Sequence, residues 1–155
     1  MCGDHDQRRS GAWLRRLILP VAIALPSVAA AQGDWTTRFL LPGADHWVYA
    51  TTVFNGDLVI GGDFRLVDDC PADRVARFDG TRWAPLGAGF NGIVRCLYVF
   101  DGVLYAGGDF ESSGTTAVNR VARWDGASWR PLGGGITGQG ARVYTLLGHR
   151  QQLLV

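Results

Sequence analysis

Apolar residues in this chain come in short bursts that alternate with polar ones and end at glycine-containing turns, and the whole pattern is written twice. Val48-Tyr-Ala-Thr-Thr-Val-Phe54 runs into Asn55-Gly56, and Val94-Arg-Cys-Leu-Tyr-Val-Phe100 runs into Asp101-Gly102. A run of β-formers closed by Asn-Gly or Asp-Gly is a strong hairpin signal, because those residues tolerate the positive φ of a tight two-residue turn. The returning strands, Leu58 to Ile60 and Val103 to Ala106, are expected to stop and turn at Gly61-Gly62 and Gly107-Gly108. A third strand follows at Arg74 to Phe78 or Arg120 to Trp124. Asp79-Gly80 or Asp125-Gly126 then turns it into a fourth around Trp83 or Trp129. The linking loops, 63–73 and 109–119, differ freely between the copies. No window sustains a helical period, so no helix is expected outside the N-terminal leader.

At a fixed offset of 46, 20 of the 43 positions from 48 to 90 are identical to their counterparts, which demands a repeat architecture. Within the third strand Val75 lies on one face and Ala76 and Phe78 on the other. Both faces are therefore apolar, as in a sheet packed between two neighbours. Four antiparallel strands per unit, stacked unit on unit, predict an all-β chain of the β-propeller kind, with four-stranded blades. The expected boundaries are a secretory leader with its helix at 1–31, an N-terminal strand segment at 32–47, a first blade at 48–93, a second at 94–142 and the start of a third at 143–155. In that third unit Val143 to Leu147 is the expected opening strand and Leu153 to Val155 begins the second. Trp35 precedes Val48 by 13 residues, much as Trp83 precedes Val94 by 11, so Asp34 to Leu41 matches the last strand of an otherwise missing unit. Propellers close with typically 4–8 blades, and the expectation is a fragment of a longer ring.

Composition narrows the compartment. Arg8, Arg9, Arg15 and Arg16 precede an apolar run, Leu17 to Ala31, that is broken by Pro20 and Pro26 and ends in Ala29-Ala30-Ala31. This is the pattern of a cleaved secretory leader, too short for a membrane span. The expected location is secreted, periplasmic or on the cell surface. The remaining 124 residues carry 11 arginines and 12 acidic groups, so charge suggests no nucleic-acid partner, and no membrane span is expected after cleavage. Glycine is abundant, at 22 of 155, alongside plentiful aromatics, which means turns rather than disorder. Cys70 and Cys96 enter an oxidising compartment, yet their repeat counterparts Thr116 and Ala50 are not cysteine, so a bridge is no part of the repeat.

Leu104-Tyr-Ala-Gly-Gly-Asp-Phe110 and Val121-Ala-Arg-Trp-Asp-Gly126, with Trp129 in the fourth strand, resemble the repeats of exported kelch-like propellers, among them fungal cortical polarity proteins and bacterial secreted propellers. The likeness covers Trp35 to Val155. It departs from standard kelch repeats in placing aspartate directly after the glycine pair and in spacing its two aromatics five apart. The resemblance implies a fold rather than an activity, and implies that Asp34 to Leu41 completes the last blade of the ring.

Candidate chemistry is sparse. Asp63 and Asp109 follow the glycine pairs, where a ring of carboxylates would suit calcium. The expected role is structural, as a turn holder or as a buried pair with Arg77 and Arg123, the third-strand arginines at the same offset. Trp83 and Trp129 are expected to fill the space between blades rather than to stack on sugars. Gly61, Gly62, Gly107 and Gly108 complete the structural repeat positions. Asp68, Asp69 and Asp73 make the first long loop acidic and form the candidate binding loop, although a plain solvated loop has the same polarity. His46 and His149 have no partner at metal-ligand spacing, and no Gly-x-Ser-x-Gly or phosphate-cradling loop occurs. No catalytic, metal or cofactor residue, and no cofactor, is assigned. The leading expectation is a non-catalytic exported scaffold that binds a protein or a glycan, with further blades of the same protein as neighbours. The alternative is the propeller portion of an extracellular enzyme, galactose-oxidase-like or sialidase-like, with its catalytic residues outside this chain.

Overall fold

The structure, a computed structural model, describes residues 43–155. The leader at 1–31 and the strand expected at Asp34 to Leu41 lie outside the described residues. Among those described there is no helix. Strands β1 (Val48–Phe54), β2 (Asp57–Gly62), β5 (Val75–Phe78) and β6 (Trp83–Pro85) form one antiparallel sheet in that order. Strands β7 (Val94–Phe100), β8 (Val103–Gly108), β11 (Val121–Trp124) and β12 (Trp129–Pro131) form its twin. Each sheet is consistent with a propeller blade. The tight turns are as expected: Asn55 and Gly56 hold φ of 52° and 89°, and Asp101 and Gly102 hold 49° and 71°.

The linking loops depart from the expectation of free loops. Each folds into a miniature hairpin, β3 (Leu66–Val67) with β4 (Cys70–Pro71) and β9 (Ser112–Ser113) with β10 (Thr116–Ala117). Two equivalent residues fasten them. Asp45 Oδ1 accepts hydrogen bonds from the N–H groups of Arg65 at 2.8 Å and Leu66 at 3.0 Å. Asn91 Oδ1 does the same for Glu111 at 2.8 Å and Ser112 at 2.9 Å.

The third unit also differs in detail. Its strands are β13 (Leu147–His149) and β14 (Gln152–Leu154), so the opening strand starts four residues later than expected. Arg150 and Gln151 occupy the hairpin turn at φ of 45° and 64°, a left-handed conformation that a Cβ disfavours.

The glycine pairs do not end the second strand in a turn; they are its last two extended residues. A Cβ on Gly61 would lie 2.5 Å from Cγ1 of Val94, and one on Gly107 the same distance from Cγ1 of Val143. The first glycine of each pair is thus the seat for the leading valine of the next unit. The second cannot carry a Cβ because its own sheet is in the way: Gly62 abuts the carbonyl oxygen of Trp47, and Gly108 that of Ile93.

Packing then follows the stacking order. Val59, Val75 and Leu86 of the first unit share one buried cluster with Val94, Leu97, Leu104, Ala106, Ala122 and Trp129 of the second. On its opposite face the second sheet packs Val121, Cys96, Tyr98 and Tyr105 against Val143, Leu146 and Leu153 of the third unit. The second sheet is therefore covered on both sides, as the two-faced apolar pattern predicts.

Candidate functional site

Two regions concentrate chemistry-bearing side chains. The first lies along the edge strands. Register slips between Val48 and Ala50 in β1 and between Val94 and Cys96 in β7, leaving Tyr49 and Arg95 as the extra residues of two equivalent β-bulges. A bulge re-aims its side chain, and here it does so onto a common line. The Arg95 guanidinium lies 5.9 Å from the centroid of the Tyr49 ring and 5.0 Å from that of Tyr144, the equivalent residue of the third unit. Arg95 also donates through Nε and Nη2 to the two oxygens of Asp109, both at 2.7 Å. This fork holds the Asp109 carboxyl below the usual range and raises Arg95 above its own. Tyrosine faces, a forked ion pair and a bulge make a rigid ladder that is already internally satisfied.

The positions singled out from the sequence are placed differently from expectation in one respect. Asp63 and Asp109 do not pair with Arg77 and Arg123. Asp63 meets Nε of Arg74 at 3.4 Å and Nδ1 of His46 at 3.6 Å, and Asp109 meets Arg95. The physical reason is facing: Arg77 points with Val59 toward the second unit, whereas Asp63 lies beyond the end of β2. Arg77 instead donates through Nη1 to Oδ2 of Asp57 at 3.0 Å. The counterpart of Asp57 in the second unit is Val103, and Arg123 has no carboxylate partner among the described residues. Arg74 and Arg120, at φ of 65° and 72°, also reach across to the next linker, donating to the carbonyls of Phe90 at 2.9 Å and Ile136 at 3.0 Å.

The aspartates of the third turn are structural. Asp79 Oδ1 accepts from Thr81 Oγ1 at 2.6 Å, Thr81 N at 2.9 Å and Arg82 N at 3.0 Å, and these bonds, the hydroxyl's foremost, lower its pKa to about 2. Asp125 is held still lower, first by Arg130 Nε at 2.6 Å and then by the N–H groups of Ser128 and Ala127. In the candidate binding loop, Asp68 sits at the β3–β4 turn with φ of 54°, and its Oδ1 is buried without a hydrogen-bond partner. Asp69 and Asp73 are exposed, and the three do not converge on one point with other ligands: among the described residues no three His, Cys, Asp or Glu side chains could together hold a metal ion. Cys70 and Cys96 are free.

The second region was not visible in the sequence. A cleft of about 350 Å³ opens between the two sheets at their hairpin ends, lined by Phe54, Asn55, Asp57, Arg77, Leu86 and Trp124 among others. A hollow at the next junction, about 370 Å³, is lined by Phe100, Asp101 and Gln151. Phe54 and Asn55 are the repeat counterparts of Phe100 and Asp101, so the recess recurs with the repeat. The only trace in sequence is that Asp57 and Arg77 fall two residues and none from Val59 and its cross-strand partner, a diagonal that lets long side chains meet. No protein-family model matches this sequence, and a search of curated proteins finds no relative.

Proposed function

We propose that this chain is part of an exported, non-catalytic β-propeller of the kelch-like kind, a scaffold that binds a protein or a glycan outside the cell. The two sheets and the third hairpin are its consecutive blades. The observation that carries the reading is a constant frame bearing unlike hairpins: β3–β4 is acidic and contains Cys70, β9–β10 is built from serine and threonine, and both are fastened by the same Asp45 or Asn91 device. Invariant support with divergent tips suits recognition better than shared chemistry. The leader-like residues 1–31 support export, and the front of the first sheet supports a neighbouring blade, because its residue types are those buried at the second junction.

Exchanging residues 65–72 for 111–118 in the exported chain tests this. Retention on an immobilised glycan panel, or cross-linking to surface proteins, should change while the melting temperature holds. Unchanged retention in both assays contradicts the reading. The mass of the exported product should begin at residue 32, and a mass that includes 1–31 contradicts processing.

A further inference from the structure

We propose that the cleft between the first and second sheets binds a neutral sugar ring. The inference goes beyond the scaffold reading: it adds a second binding site on the same frame, lined by neither the β3–β4 nor the β9–β10 hairpin. Its volume, about 350 Å³, falls at the lower end of the range for small-ligand pockets. Its polar wall is a single ion pair, Arg77 Nη1 to Asp57 Oδ2 at 3.0 Å. That bond leaves the second carboxylate oxygen and other guanidinium N–H groups side by side, an acceptor beside donors. Adjacent hydroxyls of a sugar both donate and accept, so they match such a wall, and the cancelled charge gives neither an anion nor a cation an advantage.

The facing wall is apolar and held in place. Trp124 packs edge-on against Trp129, with centroids 5.2 Å apart and planes at 60°, and it comes so close to Gly87 that a Cβ there would lie 2.7 Å from its ring. The ring surface that remains half-exposed borders the cleft, where it offers a platform for the C–H face of a pyranose. Asn55 adds an amide from the turn at the rim. The molecule contains its own control. At the next junction Val103 replaces Asp57, and among the described residues the hollow lined by Phe100, Asp101 and Gln151 has no carboxylate–guanidinium pair.

The test titrates the full exported chain with the methyl glycosides of glucose, galactose, mannose and fucose. Glucosamine and sialic acid serve as charged controls, and tryptophan fluorescence and calorimetry as readouts. At least one neutral glycoside should bind. Asp57→Asn and Arg77→Met should each weaken it about tenfold or more, the loss expected for a charged hydrogen bond, and Asp101→Asn should leave it unchanged. Both cleft substitutions lie at partly exposed positions, so melting should hold within about 2 °C. Binding of none of the neutral glycosides, or of the charged sugars alone, overturns the proposal. Neutral-sugar binding undiminished by Asp57→Asn and Arg77→Met also overturns it, while leaving the scaffold reading intact.

Discussion

Leu58 and Leu104 occupy the same position in two sheets of near-identical sequence, yet Leu104 is fully buried and Leu58 keeps 37% of its surface exposed. The same contrast holds at two further equivalent pairs, though not at Ile60 and Ala76, which share a buried cluster with Val67 and Ala72 of the first unit's own miniature hairpin. Val94 is fully buried against Gly61, while Val48 is 41% exposed; Trp129 is 1% exposed, while Trp83 is half-buried. Residue type, strand and register are the same in both, so none of these decides burial. The neighbour does. The back of the first sheet covers the front of the second and even supplies a hydrogen-bond acceptor, the Leu86 carbonyl, to Trp129 Nε1 at 2.9 Å. A unit of this design is stable in proportion to the siblings stacked on it, which is the energetics of repeat proteins.

Contacts made within a sheet should erase the contrast, and those made between sheets should restore it. Gly62→Ala and Gly108→Ala should both be strongly destabilising, and to the same extent. Each places a methyl group against the backbone of its own first strand, which cannot move aside, so both should cost about 2–4 kcal/mol in chemical denaturation. The tryptophans should behave unequally. Trp129→Ala removes a buried ring and its cross-sheet hydrogen bond, at about 3–5 kcal/mol if both contributions are lost, whereas Trp83→Ala should cost about 1–2 kcal/mol; equal losses would break the comparison.

Cysteine labelling sharpens it chemically. Cys96 lies at the junction with the third unit, where burial pushes its thiol up to about 11, while Cys70 is half-buried in the β3–β4 miniature hairpin. Iodoacetamide at pH 8 should modify Cys70 at least roughly tenfold faster, since only the thiolate reacts. The smallest effect concerns the third-turn aspartates, which serve both sheets alike. Because the folded-state pKa of Asp79, about 2, lies below that of an unfolded aspartate, its stabilisation is complete above the unfolded value and is lost as pH falls through about 2. Amide exchange at Thr81 and Arg82 should therefore accelerate only in that acid window, with Ala127 and Ser128 following at still lower pH.

Strands and turns were legible because their information is local. Alternation places Val48–Phe54 and Val94–Phe100, and Asn55-Gly56 and Asp101-Gly102 fix the register between first and second strands. The glycine pairs were legible as positions but not as reasons. Their missing Cβ atoms make room for Val94 and Val143 of the following unit and for the backbone at Trp47 and Ile93, none of which a single strand reveals. For the same reason the repeat spacing suggests Asp63 as a partner for Arg77, whose face directs it to Asp57. The miniature hairpins depend on Asp45 and Asn91, some 20 residues upstream in sequence, whose side chains act on distant N–H groups. The cleft is a product of two units meeting and has no motif of its own.

The most direct measurement is the pair of equivalent front-face truncations, Leu104→Ala and Leu58→Ala, compared by urea unfolding under identical conditions. If siblings confer burial, Leu104→Ala costs about 2–4 kcal/mol and Leu58→Ala less than about 1 kcal/mol. Equal losses at the two positions would mean that each sheet secures its own core, and would contradict the stacking account.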